Sequence, residues 1–247
     1  MQKTLNRGII TGLCLVWSLC YVWGDGAAPS NASVAAVSLS TPDSIIKEAD
    51  MKEQQSGTWT PGLSDAEKKT LFSIAKNTLD WCVNKQKGAF PIESYTLTPK
   101  LKAQTATFVT LKIKGELRGC IGSLAPVEPL YLSVHHNAIN AALEDPRFQP
   151  VQPVELPRLE IDVSILSPIR DIASPDEFKL GRQGIILEKG MHRAVFLPEV
   201  AVEQGWTSEE TLSYLSRKAG LTADAWKKDA RFQVFESVVI SMDAGKE

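Results

Sequence analysis

Leu117-Arg118-Gly119-Cys120-Ile121-Gly122 places a thiol and a guanidinium two positions apart and sets a glycine on either side of Cys120. If this stretch is a strand, its side chains alternate across the sheet. Arg118 and Cys120 then share one face, with Leu117, Gly119 and Ile121 on the other. A guanidinium near a sulfur favours the thiolate, the form that acts as nucleophile or ligand. Gly119 and Gly122 remove side chains beside the sulfur, so a backbone or a small ligand can come close. The chemistry this predicts is thiol-dependent, with Cys120 as the nucleophile and Arg118 stabilising its thiolate or binding a substrate anion. The competing structural reading uses the same residues: glycine marks a bulge, arginine makes a surface ion pair, and cysteine packs.

The elements around the stretch follow from periodicity. Thr107 to Lys114 reads as a strand, with Val109, Leu111 and Ile113 alternating with Thr110, Lys112 and Lys114. Gly115-Glu116 makes a tight reversal, and Leu117 begins the return strand. Pro126 and Pro129 bracket the start of a helix that runs to about Glu144 and is ended by Asp145-Pro146-Arg147-Phe148. Within that helix Leu130, Val134, Ala138, Ala141 and Ala142 define an apolar arc that includes His135, while Ser133, His136 and Asn140 fall on the polar side. His135 reads better as a hydrogen-bonded core histidine than as a base.

Upstream, Ser64 and Glu67 have the spacing of a capping box, and Leu71, Ala75, Thr78 and Cys82 recur at helical spacing. Cys82 therefore faces a core as a small hydrophobe. Downstream, Leu159, Ile161, Val163 and Ile165 oppose Glu160, Asp162 and Ser164 on a second strand. Gly184 to Leu197 forms a hairpin turning at Lys189-Gly190. Thr207 and Glu210 cap a helix that ends at Gly220, and Phe232 to Ile240 closes the chain as a strand. Strands and helices mix without strict alternation, which predicts an α+β domain.

The chain has 247 residues, and a net charge of −2 excludes the basic excess of a nucleic-acid-binding domain. With three histidines, no Cys-x-x-Cys and no helical His-x-x-x-His, no metal motif is evident, and no phosphate loop or other cofactor motif is present either. Lys3 and Arg7 precede an uncharged run, Gly8 to Trp23, and small residues at Gly24 to Ala28 suit signal peptidase. Residues 1–28 are thus predicted to be a signal peptide. This makes the protein exported, periplasmic or secreted, or membrane-anchored through residues 8–23 if the segment is retained. Residues 29–60, rich in Ser, Ala, Thr and Gln, read as a flexible linker, and residues 61–247 as the folded domain. Export leaves Cys82 and Cys120 as two thiols or as one disulfide.

The Leu117–Gly122 stretch resembles the signature of the AMMECR family, whose bacterial and archaeal members are labelled protein A of the AmmeMemoRadiSam system. The similarity extends to Asn137-Ala138 and Ala141-Ala142 with Asp145-Pro146-Arg147-Phe148, to Val163-Ser164 and to Gly184-Ile185. It continues through Phe196-Leu197-Pro198-Glu199-Val200 with Gly205-Trp206 to Lys218-Ala219-Gly220, and so covers about residues 63 to 240. The resemblance implies a larger subdomain around a mixed sheet flanked by helices, with a smaller α+β subdomain packed beside it. The groove between them would be lined by the cysteine stretch. Carried over by motif, the site residues are Arg118, Gly119, Cys120, Gly122, Asp145 and Arg147, with the glycines, Asp145 and Arg147 shaping a groove for a small molecule or peptide. The family name implies Memo-like and radical SAM partners, from which export would separate this chain. The alternative to a thiol-dependent enzyme is a non-catalytic ligand- or protein-binding module in which Cys120 is structural.

Overall fold

In a computed structural model, which describes residues 21–22 and 51–242, the capping box at Ser64 closes as its spacing predicts. Ser64 accepts the Glu67 amide while Glu67 accepts the Ser64 amide at 2.7 Å, and helix α1 (Asp65–Val83) begins there. Leu71, Ile74, Ala75 and Leu79 line its buried face. Helix α2 (Leu130–Leu143) packs alongside it. Both helices cover one face of a six-stranded sheet built from β1 (Tyr21–Val22), β2 (Met51–Gln55), β3 (Thr107–Ile113), β4 (Glu116–Gly122), β5 (Glu160–Leu166) and β10 (Ser237–Met242). The spatial order is β1-β4-β3-β5-β10-β2, antiparallel throughout except where β1 runs parallel to β4.

The apolar alternation in β3 and β5 points Val109, Leu111, Ile161, Val163 and Ile165 at the two helices, as the period-two pattern requires. A second core lies on the opposite face. There Phe108, Cys120 and Leu166 meet a four-stranded antiparallel sheet, ordered β6 (Arg170–Ile172), β9 (Arg231–Phe235), β7 (Gly184–Lys189) and β8 (His192–Phe196). Short helix α3 (Pro198–Glu203) and helix α4 (Ser208–Lys218) complete this smaller unit, with the predicted Thr207–Glu210 capping box in place. The architecture is α+β, with a larger and a smaller subdomain.

Four local expectations change. The single strand predicted over Phe232 to Ile240 is two strands in two different sheets, broken at Glu236. The Glu236 carboxylate accepts the amides of Thr58 and Trp59, and its own amide donates to Ser167 Oγ, so the break is held from three sides. Residues 51–55, assigned to the linker, form edge strand β2 paired with β10, so ordered structure begins before residue 61. Ser133 belongs to the buried face of α2. Its hydroxyl and the Asn137 amide clasp Thr107, with Ser133 Oγ 2.7 Å from Thr107 Oγ1. Finally, the first hairpin turns at Lys114-Gly115, where both residues have positive φ, and not at Gly115-Glu116. The predicted export segment lies outside the described residues apart from Tyr21–Val22, as do residues 29–50 of the linker. No helix among the described residues is long and apolar enough to cross a membrane.

Candidate functional site

Strand β4 carries the cysteine stretch, but its alternation is interrupted. Leu111 pairs with Gly119 and Lys112 with Leu117, leaving Arg118 as the extra residue of a β-bulge. Leu117 therefore turns towards the second core with Cys120. Arg118 turns away, corrected from the face it was predicted to share with the sulfur. Its guanidinium binds Glu155 through two hydrogen bonds, 2.7 Å from Nε and 3.0 Å from Nη2, and lies over the Phe148 ring. That bond holds the Glu155 carboxyl below the ordinary range.

Cys120 is 1% exposed. Its sulfur accepts the Thr110 hydroxyl at 3.2 Å across the β3–β4 pair. Its backbone is held as tightly. Asp145 accepts the Cys120 amide at 2.9 Å, and Arg147 donates to the Cys120 carbonyl and to both Asp145 oxygens. Burial works against the Asp145 charge, but the hydrogen bonds from Arg147 and from the Cys120 and Arg147 amides outweigh it and leave the carboxyl below its usual range. Asp145 and Arg147 thus clamp the edge of β4, where they were expected to shape a groove.

The glycines also have packing partners. A Cβ on Gly119 would stand 2.2 Å from the Ala141 carbonyl oxygen of α2, and one on Gly122 would stand 2.2 Å from the Phe108 ring. Each absent side chain lets protein, and not a ligand, come close. Cys82 packs against the helix-side core, and neither it nor Cys120 forms a disulfide among the described residues. Burial pushes the Cys82 thiol up to about 11. His135 hydrogen-bonds Thr78 at 2.8 Å, and burial pushes it down to about 4, so it is a neutral, core-facing histidine.

The open space lies further along the same sheet face as Cys120. Between the large sheet and α3 is a cleft of about 450 Å³. Thr110 and Lys112 of β3 and Asp162 and Ser164 of β5 form its floor, and Glu199 and Glu203 of α3 face them. Leu117, Leu197, Val200 and Val239 give it an apolar wall. Lys112 Nζ lies 3.0 Å from Asp162 Oδ2 and 3.9 Å from Glu203 Oε1. Burial opposes the Lys112 charge, but these carboxylates, with Glu199 beyond, hold the ammonium above its ordinary pKa. Glu199 shows the reverse. Burial, helped by the charges of Glu203 and Asp162, pushes its carboxyl up to about 7, against a hydrogen bond from its own backbone and the Lys112 charge. This group therefore changes charge near neutral pH.

Of the predicted stretch, only Leu117 and its neighbour Glu116 line this cleft, with Cys120 one residue away behind Thr110. Lys112, Asp162, Ser164, Glu199 and Glu203 were not singled out. The signal of Lys112, Asp162 and Ser164 lay in the polar faces of β3 and β5, which periodicity alone reads as solvent-facing, whereas Glu199 and Glu203 sit on the short helix α3. No group of three or more His, Cys, Asp or Glu able to hold a metal occurs among the described residues.

The comparisons with known proteins agree on one family. Residues 72–240 match the AMMECR1 family model. A protein of Nanoarchaeum equitans is 35% identical over 181 residues, spanning 70% of this chain and 99% of that one. A protein of Thermofilum pendens is 43% identical over 155 residues, spanning 55% of this chain and 73% of the relative. The crystal structure of an uncharacterized protein from Pyrococcus horikoshii superposes with a TM-score of 0.67 at 32% identity, covering 73% of this chain and 93% of that one. The chain belongs to the AMMECR1 family.

Proposed function

We propose that this protein is a ligand-binding module whose site is the cleft between the large sheet and α3, with Cys120 serving as a structural residue beside it. The observation that carries this reading is the placement of polar groups. Thr110, Lys112, Asp162, Ser164 and Glu199 converge on one cleft, whereas Cys120 is 1% exposed and already accepts a hydrogen bond. A concave space with an apolar wall and a few convergent polar groups is the usual form of a small-molecule site. Thiol catalysis would require Cys120 to reach a substrate through the Thr110 side chain and the second core.

The test is a ligand-detected NMR screen of a soluble metabolite collection against the full chain and against Gln204→Trp, which places an indole at the exposed rim of the cleft. Compounds that bind the parent and lose contact in the plugged variant support the reading. Binders indifferent to the plug, or none at all, overturn it. In parallel, iodoacetamide should label native Cys120 no faster than the chain unfolds, and rapid labelling of the folded protein would restore the thiol-dependent reading.

A further inference from the structure

We propose that the cleft recognises an alkylammonium group, with Glu199 as its counter-charge and Ser164 as its orienting hydrogen-bond acceptor. This rests on the reading of the cleft as a ligand site and names what enters it. Three features support it. First, the charges that line the space are unbalanced. Lys112 from β3 is the sole cation among the described lining residues, against Asp162 from β5, Glu116 from β4, and Glu199 and Glu203 from α3. Lys112 is itself held between Asp162 and Glu203, which leaves Glu199 without a cation within ion-pair distance among the described residues. An anionic ligand would face this excess directly, and a cationic one would relieve it.

Second, Ser164 is 1% exposed and lines the cleft, yet among the described residues nothing hydrogen-bonds its hydroxyl. A hydroxyl that lines the cleft with no protein partner can accept a hydrogen bond from a ligand N–H. Third, the wall formed by Leu117, Val200 and Val239 gives an alkyl chain a surface away from water. The bound ligand would thus set a second ammonium among the carboxylates that already hold Lys112, with its alkyl chain on the apolar wall.

The probes are pentylamine, pentan-1-ol and pentanoate, titrated separately into the isotopically labelled full chain and followed by backbone amide shifts. Pentylamine should shift the amides of Thr110, Lys112, Ser164 and Glu199, and should bind at least about ten-fold more tightly than the other two. Its affinity should drop between about pH 8 and about pH 6, because Glu199 takes up a proton there and loses its charge. Glu199→Gln should remove both the preference and the pH dependence. Ser164→Ala should weaken pentylamine binding while keeping the pH dependence.

Equal binding of the alcohol or the carboxylate at those amides overturns the ammonium assignment but leaves the cleft as a ligand site. So does pentylamine binding that Glu199→Gln does not change. No shift of cleft amides with any of the three overturns the assignment as well, and the metabolite screen then decides the broader reading separately. Glu199→Gln preserves size and shape, and its thermal melt beside that of Ser164→Ala establishes that both variants are folded.

Discussion

The Asp145 carboxylate accepts the backbone amide of Cys120 at 2.9 Å, from 25 positions away and in a buried setting. The bond joins the loop after α2 to the middle of β4, and Arg147 closes it by reaching both the carboxylate and the Cys120 carbonyl. Asp145 and Arg147 are therefore occupied in holding the strand of Cys120.

Replacing Asp145 should show that role as lost stability. Asp145→Ala leaves a half-buried guanidinium without the carboxylate that neutralises it, and a buried strand amide without its acceptor. Equilibrium urea unfolding should report a loss of about 3–5 kcal/mol. The contribution also depends on pH. The folded pKa lies below the unfolded 3.8, so the stabilisation is complete above 3.8 and is lost as pH falls from there through the folded value. The gap between parent and Asp145→Asn in urea midpoint should narrow across that acid range and stay constant above it.

Glu199 should behave with the opposite sign. Its folded pKa of about 7 exceeds the unfolded 4.5, so the folded state binds the proton more tightly. Its contribution is fully present below 4.5 and is lost as pH rises through about 7. Relative to Glu199→Gln, the parent should lose stability between those values and then level off. A flat difference across the range would mean that the carboxyl is solvated.

Gly119→Ala tests the approach of α2 to β4. The new Cβ would meet the Ala141 carbonyl oxygen at 2.2 Å, so the helix or the strand must move. Overpacking of this kind costs about 1–3 kcal/mol, readable as a lowered urea midpoint. If Gly119 instead made room for a ligand, the alanine variant would keep its stability and lose binding.

For Cys120, packing and chemistry make different predictions. Cys120→Ala removes a buried sulfur and the acceptor of the Thr110 hydroxyl, so stability should fall by about 1–3 kcal/mol. Cys120→Ser retains an acceptor and should lie between the two. Cleft binding by pentylamine should survive both changes in proportion to the folded fraction. Its selective loss in well-folded Cys120→Ser would assign the sulfur a direct part.

Much of the scaffold was readable from local rules. Both capping boxes, the faces of β3 and β5 and the extent of α2 follow from spacing, because each depends on residues within one helix or strand. The order of motifs from Leu117 to Gly220 likewise placed the chain in its family. The partners of Arg118, Asp145 and Glu199 were not readable, because they depend on long-range contacts. A single bulge in β4 rotated Arg118 away from Cys120, which alternation cannot anticipate when the extra residue leaves no mark in the pattern. Glu236 divides the β-rich stretch Phe232 to Ile240 between two sheets, because amides far away in sequence need its carboxylate. Above all, Thr110, Lys112, Asp162 and Ser164 look like a solvated strand face until the smaller subdomain lays α3 across them. Sequence alone determined which side chains point away from the helices, and tertiary packing determined that they line a cleft, because enclosure is a property of two surfaces that meet.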